Sequence, residues 1–296
     1  VPSDSQLIAD RVMERVDIPE RSGTLLVETT RSFMGAPEAD SRRAPGAGRQ
    51  SLSSFNRSSL TFKAEIHSFE DSIAMEDIED SQYPGTEEAR SARKVRRALL
   101  LAQEKRCADL LFGSSFTSAT PGTKFDAAGA EPLTYIHQQL DTLRATNHGI
   151  SADTIVLGYN VFRALARNPE IRSFVGDASA GIASGNRILA DSAVLEVLRS
   201  VLAVPNVYVG SARRETAIPG ATSSEADIWN TETIGLYILR GSDAIAQKSG
   251  GVKAMPVAAL NMEYKGLQAG QYDSLDLVRR HVWGEHVNQF KLVEAD

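Results

Sequence analysis

Between Thr86 and Phe112 the chain reads TEEARSARKVRRALLLAQEKRCADLLF, with no Gly or Pro and a predominance of Ala, Leu, Arg, Lys and Glu. These are strong helix formers, so the stretch predicts one continuous helix. At 1.5 Å per residue that rod is roughly 40 Å long, well beyond the usual helix of about 11–12 residues. The rest of the fold has to pack around it. Pro84-Gly85 stops the chain just before it, and Thr86 is the expected N-cap. Glu87 and Glu88 then fall at the positive end of the helix dipole. Gly113, opening a Ser/Thr-rich stretch, ends the helix. Ala92, Val95, Leu99 and Ala102 recur three and four apart and form one apolar stripe. Arg90, Arg93, Lys94, Arg96 and Arg97 crowd the first half, which reads as a solvated face or as one that meets other subunits. The heptad is not sustained, so no coiled coil is expected.

The 296 residues are 42% hydrophobic and 24% charged, enough to bury a core and to hold two sub-domains. A net charge of −6 without a basic tail argues against a sequence-reading nucleic-acid binder, but not against a protein that merely encloses nucleic acid. No apolar run approaches 18 residues, so no membrane span is expected. The first ten residues, VPSDSQLIAD, lack the apolar core of a secretory signal. The single cysteine, Cys107, lies inside the predicted helix, which rules out an intrachain disulfide and a cysteine-based zinc cluster. It reads as a small buried hydrophobe in a chain that assembles inside the cell.

Taken in order, Ile8, Val12 and Val16 predict a short amphipathic helix or docked arm, and Leu25 to Phe33 leans towards strand. Residues 34–54 contain almost nothing to bury and read as an extended loop. A strand follows, with Leu60, Phe62, Ala64 and Ile66 on its packing face and Ser59, Thr61, Lys63, Glu65 and His67 on the wet one. The acidic run Glu70, Asp71, Glu76, Asp77, Glu79 and Asp80 lacks the residue order of a calcium loop and reads as solvated surface. Glu131-Pro132 opens a helix that presents Leu133, Ile136, Leu140 and Leu143 and ends at Asn147-His148-Gly149. Short apolar strands at Thr154–Leu157, Asn206–Val209 and Ile234–Leu239 alternate with helices, among them Asp191–Leu202. That pattern predicts a small α/β layer with its sheet covered on both sides. Beyond Gly250, Leu260, Met262 and Tyr264 alternate with Asn261, Glu263 and Lys265, and two or three long strands close the chain.

Catalytic motifs are incomplete throughout. Gly46-Ala-Gly48 has Ser51 where a dinucleotide loop needs its third Gly, and it follows no strand. Ser179-Ala180-Gly181 has Asp177 where a nucleophile elbow needs Gly. Pro121-Gly122-Thr123-Lys124 lacks the upstream Gly of a phosphate loop. Ser91 and Lys94 form Ser-x-x-Lys without companion motifs. His281, Glu285 and His286 are spaced one residue too far for a zinc-protease motif, and on a strand His286 faces away from the other two. No catalytic, cofactor-binding or metal-ligating set emerges, and the chain reads as a non-enzyme without cofactor.

Three segments carry a resemblance: SADTIVLGYNVFRALARNPEIRSFV (151–175), AVLEVLRSVLAVPNVYVGSARRETA (193–217) and ADIWNTETIGLYILRG (226–241). Together with the closing YDSLDLVRRHVWGEHVNQFKLVEAD, they resemble the major capsid proteins of tailed phages, in the subgroup related to the lambda-type protein. The resemblance implies the α+β Hong Kong 97-like capsid fold. Residues 1–21 are then an N-terminal arm and 22–72 an extension loop lying across a neighbouring subunit. Residues 73–130 carry the spine helix (86–112) of the peripheral domain, 131–244 form the axial domain, and 245–296 supply closing peripheral strands. The implied function is self-assembly as pentamers and hexamers into an icosahedral virion shell around double-stranded DNA, built in the cytoplasm of the bacterial host. Scaffold, portal and decoration proteins are the other implied partners, with no membrane involved. An encapsulin-like compartment and an α/β enzyme with an appended β-domain remain as alternatives.

In such an assembly Arg42, Arg43, Arg49, Lys63, Arg93 and Arg97 are candidates for subunit interfaces. Some members of the family also join a loop Lys to an Asn of a neighbour, with a Glu taking the proton. Lys63 is the only Lys before the spine helix, and Asn261 with Glu263, or Asn288 with Glu285, are the partners it would need. The strand phase sets Lys63 beside Glu65, which keeps it charged, so a non-covalent shell is expected. The composition of 34–54 makes a further expectation testable. Trypsin should cut unassembled subunits at Arg42, Arg43 and Arg49 and spare them in shells, and equal cutting in both states would remove the idea.

Overall fold

The computed structural model describes residues 6–28, 57–80, 85–178, 190–239 and 257–293, with Pro45 in addition and apart from positions 14, 128, 148, 219, 275 and 277. The loop expected at 34–54, with Arg42, Arg43 and Arg49, lies outside the described residues.

The chain opens with α1 (Ala9–Val12), β1 (Arg15–Asp17) and β2 (Ser22–Glu28). Next come β3 (Arg57–Lys63), β4 (Glu65–Ala74) and α2 (Met75–Glu79), and then the long helix α3 (Thr86–Leu111). Next are α4 (Pro132–Thr146), β5 (Thr154–Gly158), α5 (Tyr159–Arg167), α6 (Pro169–Ala178) and α7 (Asp191–Leu202). Strands β6 (Asn206–Gly210), β7 (Arg213–Glu215), β8 (Glu225–Asp227) and β9 (Ile234–Tyr237) precede the closing pair β10 (Ala259–Asp273) and β11 (Arg279–Leu292).

The long helix forms as expected, but its cap and stripe differ in detail. Gly85, in the left-handed region at φ 83°, is the N-cap, and Thr86 is already helical. An L-residue is strained at that φ, which glycine adopts freely. The buried face is Ser91, Val95, Leu99, Gln103, Glu104, Cys107, Ala108 and Leu111, while Ala92 is exposed. It follows the 3.6-residue period into polar residues, because what it meets is partly polar. Cys107 is fully buried, as expected of a small hydrophobe.

Beneath α3 lies a four-stranded sheet in the order β1-β10-β11-β4, antiparallel except for the parallel β1–β10 pair. Val16, expected on a short helix, is therefore in β1, opposite Met262. The strand expected across Ser59–His67 is two strands breaking at Ala64. Its first half pairs with β2 and its second with β11, so Ile66 is exposed rather than packed. The sheet face away from the helix buries Leu260, Met262 and Val287 with Ile18 and Ala64. Ser91 Oγ and Lys94 Nζ both donate to Asp71 on β4, at 2.9 and 2.6 Å, so the Ser-x-x-Lys pattern is a clasp between helix and sheet.

The α/β layer matches its sequence reading closely. Its sheet runs β6-β5-β9, parallel between β5 and β6 and antiparallel to β9. Ile155 and Leu157 face Leu133, Phe162, Leu165, Val194 and Leu198 of the surrounding helices. Val156, on the opposite face, joins Leu111, Trp229 and, at α1, Ile8 and Val12. Full burial of each such side chain contributes about 1.5–3 kcal/mol. Gly210 is required where it stands, because a Cβ there would run into the Trp229 side chain.

Candidate functional site

The alternation in β10 and β11 has a polar face, and that face is turned under α3 rather than towards water. Asn261, Glu263, His286 and Asn288 are all buried. These residues bond to one another only in part, and Asn261 Nδ2 has no partner among the described residues. Glu263 accepts an ion pair from Arg15 Nε at 2.7 Å and lies 3.0 Å from His286 Nε2. Arg106, on the second half of α3, donates from Nη2 to Asn288 Oδ1 at 2.9 Å. Asn288 Nδ2 in turn lies 3.5 Å from Asn261 Oδ1. Closer to the middle of the helix Gly284 replaces a side chain, and a Cβ there would stand 2.9 Å from Leu99 Cδ1. The helix thus sits tight on the sheet at Gly284 and over a polar seam beyond it.

Of the residues singled out from sequence, the fold brings Asn261, Glu263 and Asn288 into this seam. Glu285 pairs with Gln268 and Ser68 in register and so projects from the opposite face. Lys63 ends β3 with an exposed side chain, and its backbone N–H donates to Gln289 Oε1 at 2.9 Å. Arg93 is exposed, with Nε donating to Ala89 O at 3.1 Å within its own helix, and Arg97 is half-buried. His281 and His286 face apart, as strand geometry requires. His281 meets Glu70 at 2.6 Å and stacks on Tyr272. Among the described residues no group of three or more His, Cys, Asp or Glu is placed to hold a metal ion. Likewise, no described helix is long and apolar enough to cross a membrane.

A second polar centre escaped the sequence reading altogether. Glu104, buried on α3, accepts Ile8 N–H at 3.0 Å, Ala9 N–H at 2.9 Å and Trp229 Nε1–H at 2.6 Å. One carboxylate therefore ties the start of α1, the long helix and the segment after β8. Beside it, Gln103 Nε2 donates to Asp10 at 2.6 Å. Burial pushes the Glu104 carboxyl up, against the opposing pull of its three N–H donors. The Cys107 thiol next to it is also pushed up by burial, which makes it a poor nucleophile. The one sequence signal for this centre was the Trp of Ala-Asp-Ile-Trp. Nothing local distinguishes Glu104 from the charged residues around it.

His67 is held below its usual 6.5 by burial, then by the Arg106 charge and by His286, with Glu65 opposing. The unfolded chain then binds the proton more readily than the folded one. His67 stabilises the fold above its unfolded pKa and loses that contribution as pH falls through the lower folded value. Between pH 7 and pH 5 the urea midpoint of the wild-type subunit should fall relative to that of His67→Gln. Equal slopes in the two proteins would exclude His67 as the source.

No family model matches the sequence, and no curated protein matches it. Solved structures do match in fold. A phage-related protein from Bordetella bronchiseptica RB50 aligns with a TM-score of 0.68 at 16% identity, over 98% of this chain and 89% of that one. A chain of the mature capsid of bacteriophage PhiM1 gives 0.54 at 12% identity, over 95% and 82%. The capsid of an empty GTA particle gives 0.56 at 11% identity, over 100% and 88%. The chain has the α+β, Hong Kong 97-like fold of phage capsid subunits. The likeness takes in nearly the whole chain and most of each neighbour, so it is a likeness of complete architectures rather than of one shared motif.

Proposed function

We propose that this chain is the major capsid protein of a tailed double-stranded DNA phage, forming pentamers and hexamers that close into an icosahedral virion shell. The observation that carries the reading is the end-to-end likeness to capsid chains of PhiM1 and the GTA particle. Residues 131–244 are the axial domain, which accords with the separate core of the α/β layer. Residues 1–21 are the arm, 22–72 the extension loop, and 73–130 with 245–296 the peripheral domain, in which α3 packs on β4 and β11. Arg42, Arg43, Arg49, Lys63, Arg93 and Arg97 face neighbouring subunits. The net charge of −6 suits a wall that encloses DNA without gripping its phosphates. Scaffold and portal proteins complete the particle in the host cytoplasm. Its role is structural rather than enzymatic.

Electron microscopy of the purified protein tests the reading directly. Closed icosahedral shells are expected, and a small discrete oligomer would overturn it. Shells that purify with protein cargo in place of nucleic acid would turn the assignment to an encapsulin-like compartment.

The shell is held without covalent joins. The seam supplies Asn288, but its side chain is buried under α3 with its Oδ1 accepting from Arg106, whereas Lys63 is exposed at the end of β3. Particles boiled in detergent and reductant should run as one band near 32.0 kDa. A ladder of multimers that disappears in Lys63→Ala would refute this.

A further inference from the structure

Where α3 passes the start of β4 and the end of β11, the polar seam opens into a cavity of about 390 Å³. That is room for several waters at about 30 Å³ each. Glu65, His67, Arg106, Leu110, Asn288 and Phe290 line it. Arg106 is the anomaly among them. Its Nη2 has the neutral Asn288 Oδ1 as acceptor, whereas its buried Nε has no partner among the described residues, and neither has the buried His67 Nε2. Burial lowers the guanidinium to about 10, with the charge of Glu65 at the mouth opposing, although no carboxylate is hydrogen-bonded to it among the described residues. Arg106 is half-buried, and a cation withdrawn from water normally meets a hydrogen-bonded counter-charge, because desolvation is otherwise uncompensated.

We propose that this cavity is a carboxylate-binding site, with the Arg106 guanidinium as its anchor and His67 as the neighbouring donor. The charge count favours one negative charge. Asp109 at the rim is already paired with Lys105, and Glu65 at the mouth is exposed. Glu65 repels a doubly charged anion more than a single carboxylate, and Leu110 and Phe290 suit the apolar stem of such a group. The planar guanidinium fork matches a carboxylate with two parallel N–H donors. This inference does not depend on the shell assignment.

The test uses the unassembled chain with acetate and inorganic phosphate as probes, following the Arg106 Nε–H resonance by ¹⁵N NMR near pH 7. A saturable shift with acetate, weaker with phosphate and abolished in Arg106→Gln, is expected. The exposed Glu65→Gln variant should tighten acetate binding about two- to five-fold by removing a like charge at the mouth. This arm keeps the test decisive if Arg106→Gln does not fold. No saturable response, or tighter phosphate than acetate, overturns the proposal. So does a Glu65→Gln variant that loses stability without gaining affinity, because Glu65 itself would then be the missing counter-charge. Shell formation is scored separately by microscopy, so failure here leaves the capsid reading intact, and the reverse holds.

Discussion

Glu104→Ala should unfold the subunit at markedly lower urea and release the N-terminal segment from the long helix. The substitution leaves three buried donors unpaired, Ile8 N–H, Ala9 N–H and Trp229 Nε1–H. Each orphaned donor costs about 1–3 kcal/mol, so a loss of about 3 kcal/mol or more is expected even after relief from burying the carboxylate itself. Hydrogen exchange should rise most at Ile8 and Ala9. Glu104→Gln is the sharper variant. Its amide keeps one acceptor oxygen but turns an NH2 towards a donor, so it should recover only part of the loss. An unchanged midpoint in both variants would mean that the arm is held by its apolar contacts alone, with Ile8, Val12 and Met13 buried as they are.

Leu99→Pro should be more severe. Leu99 lies in the middle of α3, buried, against the gap left by Gly284. Proline there removes a helix hydrogen bond and clashes with the preceding turn, costing about 3 kcal/mol or more. Losing the buried leucine adds about 2–5 kcal/mol. Domains are stable by about 5–15 kcal/mol in all, so the sum removes most or all of that margin. Yield of assembled particles should collapse rather than change in shape, and normal particles from this variant would show that α3 does not organise the fold.

How much of this was legible in the sequence follows from where each signal resides. The helices at 86–111, 132–146 and 191–202 were plain because propensity and periodicity act over adjacent residues. The short strands β5, β6 and β9 were plain for the same reason. Alternation in β10 reported that its two faces differ, but not which face is covered. Asn261 and Glu263 therefore read as wet when they lie under a helix. The break at Ala64 was hidden because one alternating run serves two different partners, β2 and β11. The seam was half legible. Asn261, Glu263 and Asn288 came from a family resemblance, while Arg15, Arg106 and His286 are joined to them only by tertiary contact. Glu104 was invisible, since a glutamate among lysines and arginines on a helix is ordinarily solvent-facing.

The parallel pairing of β1 with β10 sets a timetable for the ribosome. Arg15 lies opposite Asn261, and Glu104 waits for Trp229 as well as for the arm. An emerging chain has to carry its first strand without a neighbour while the stretch between β1 and β10 is made, a delay of roughly 10–50 s at about 5–20 residues/s. During that interval the long helix and the α/β layer can fold on local contacts, but the base sheet cannot close. Since β1 has its place only once β10 is laid down, a product truncated before β10 cannot form the finished base sheet.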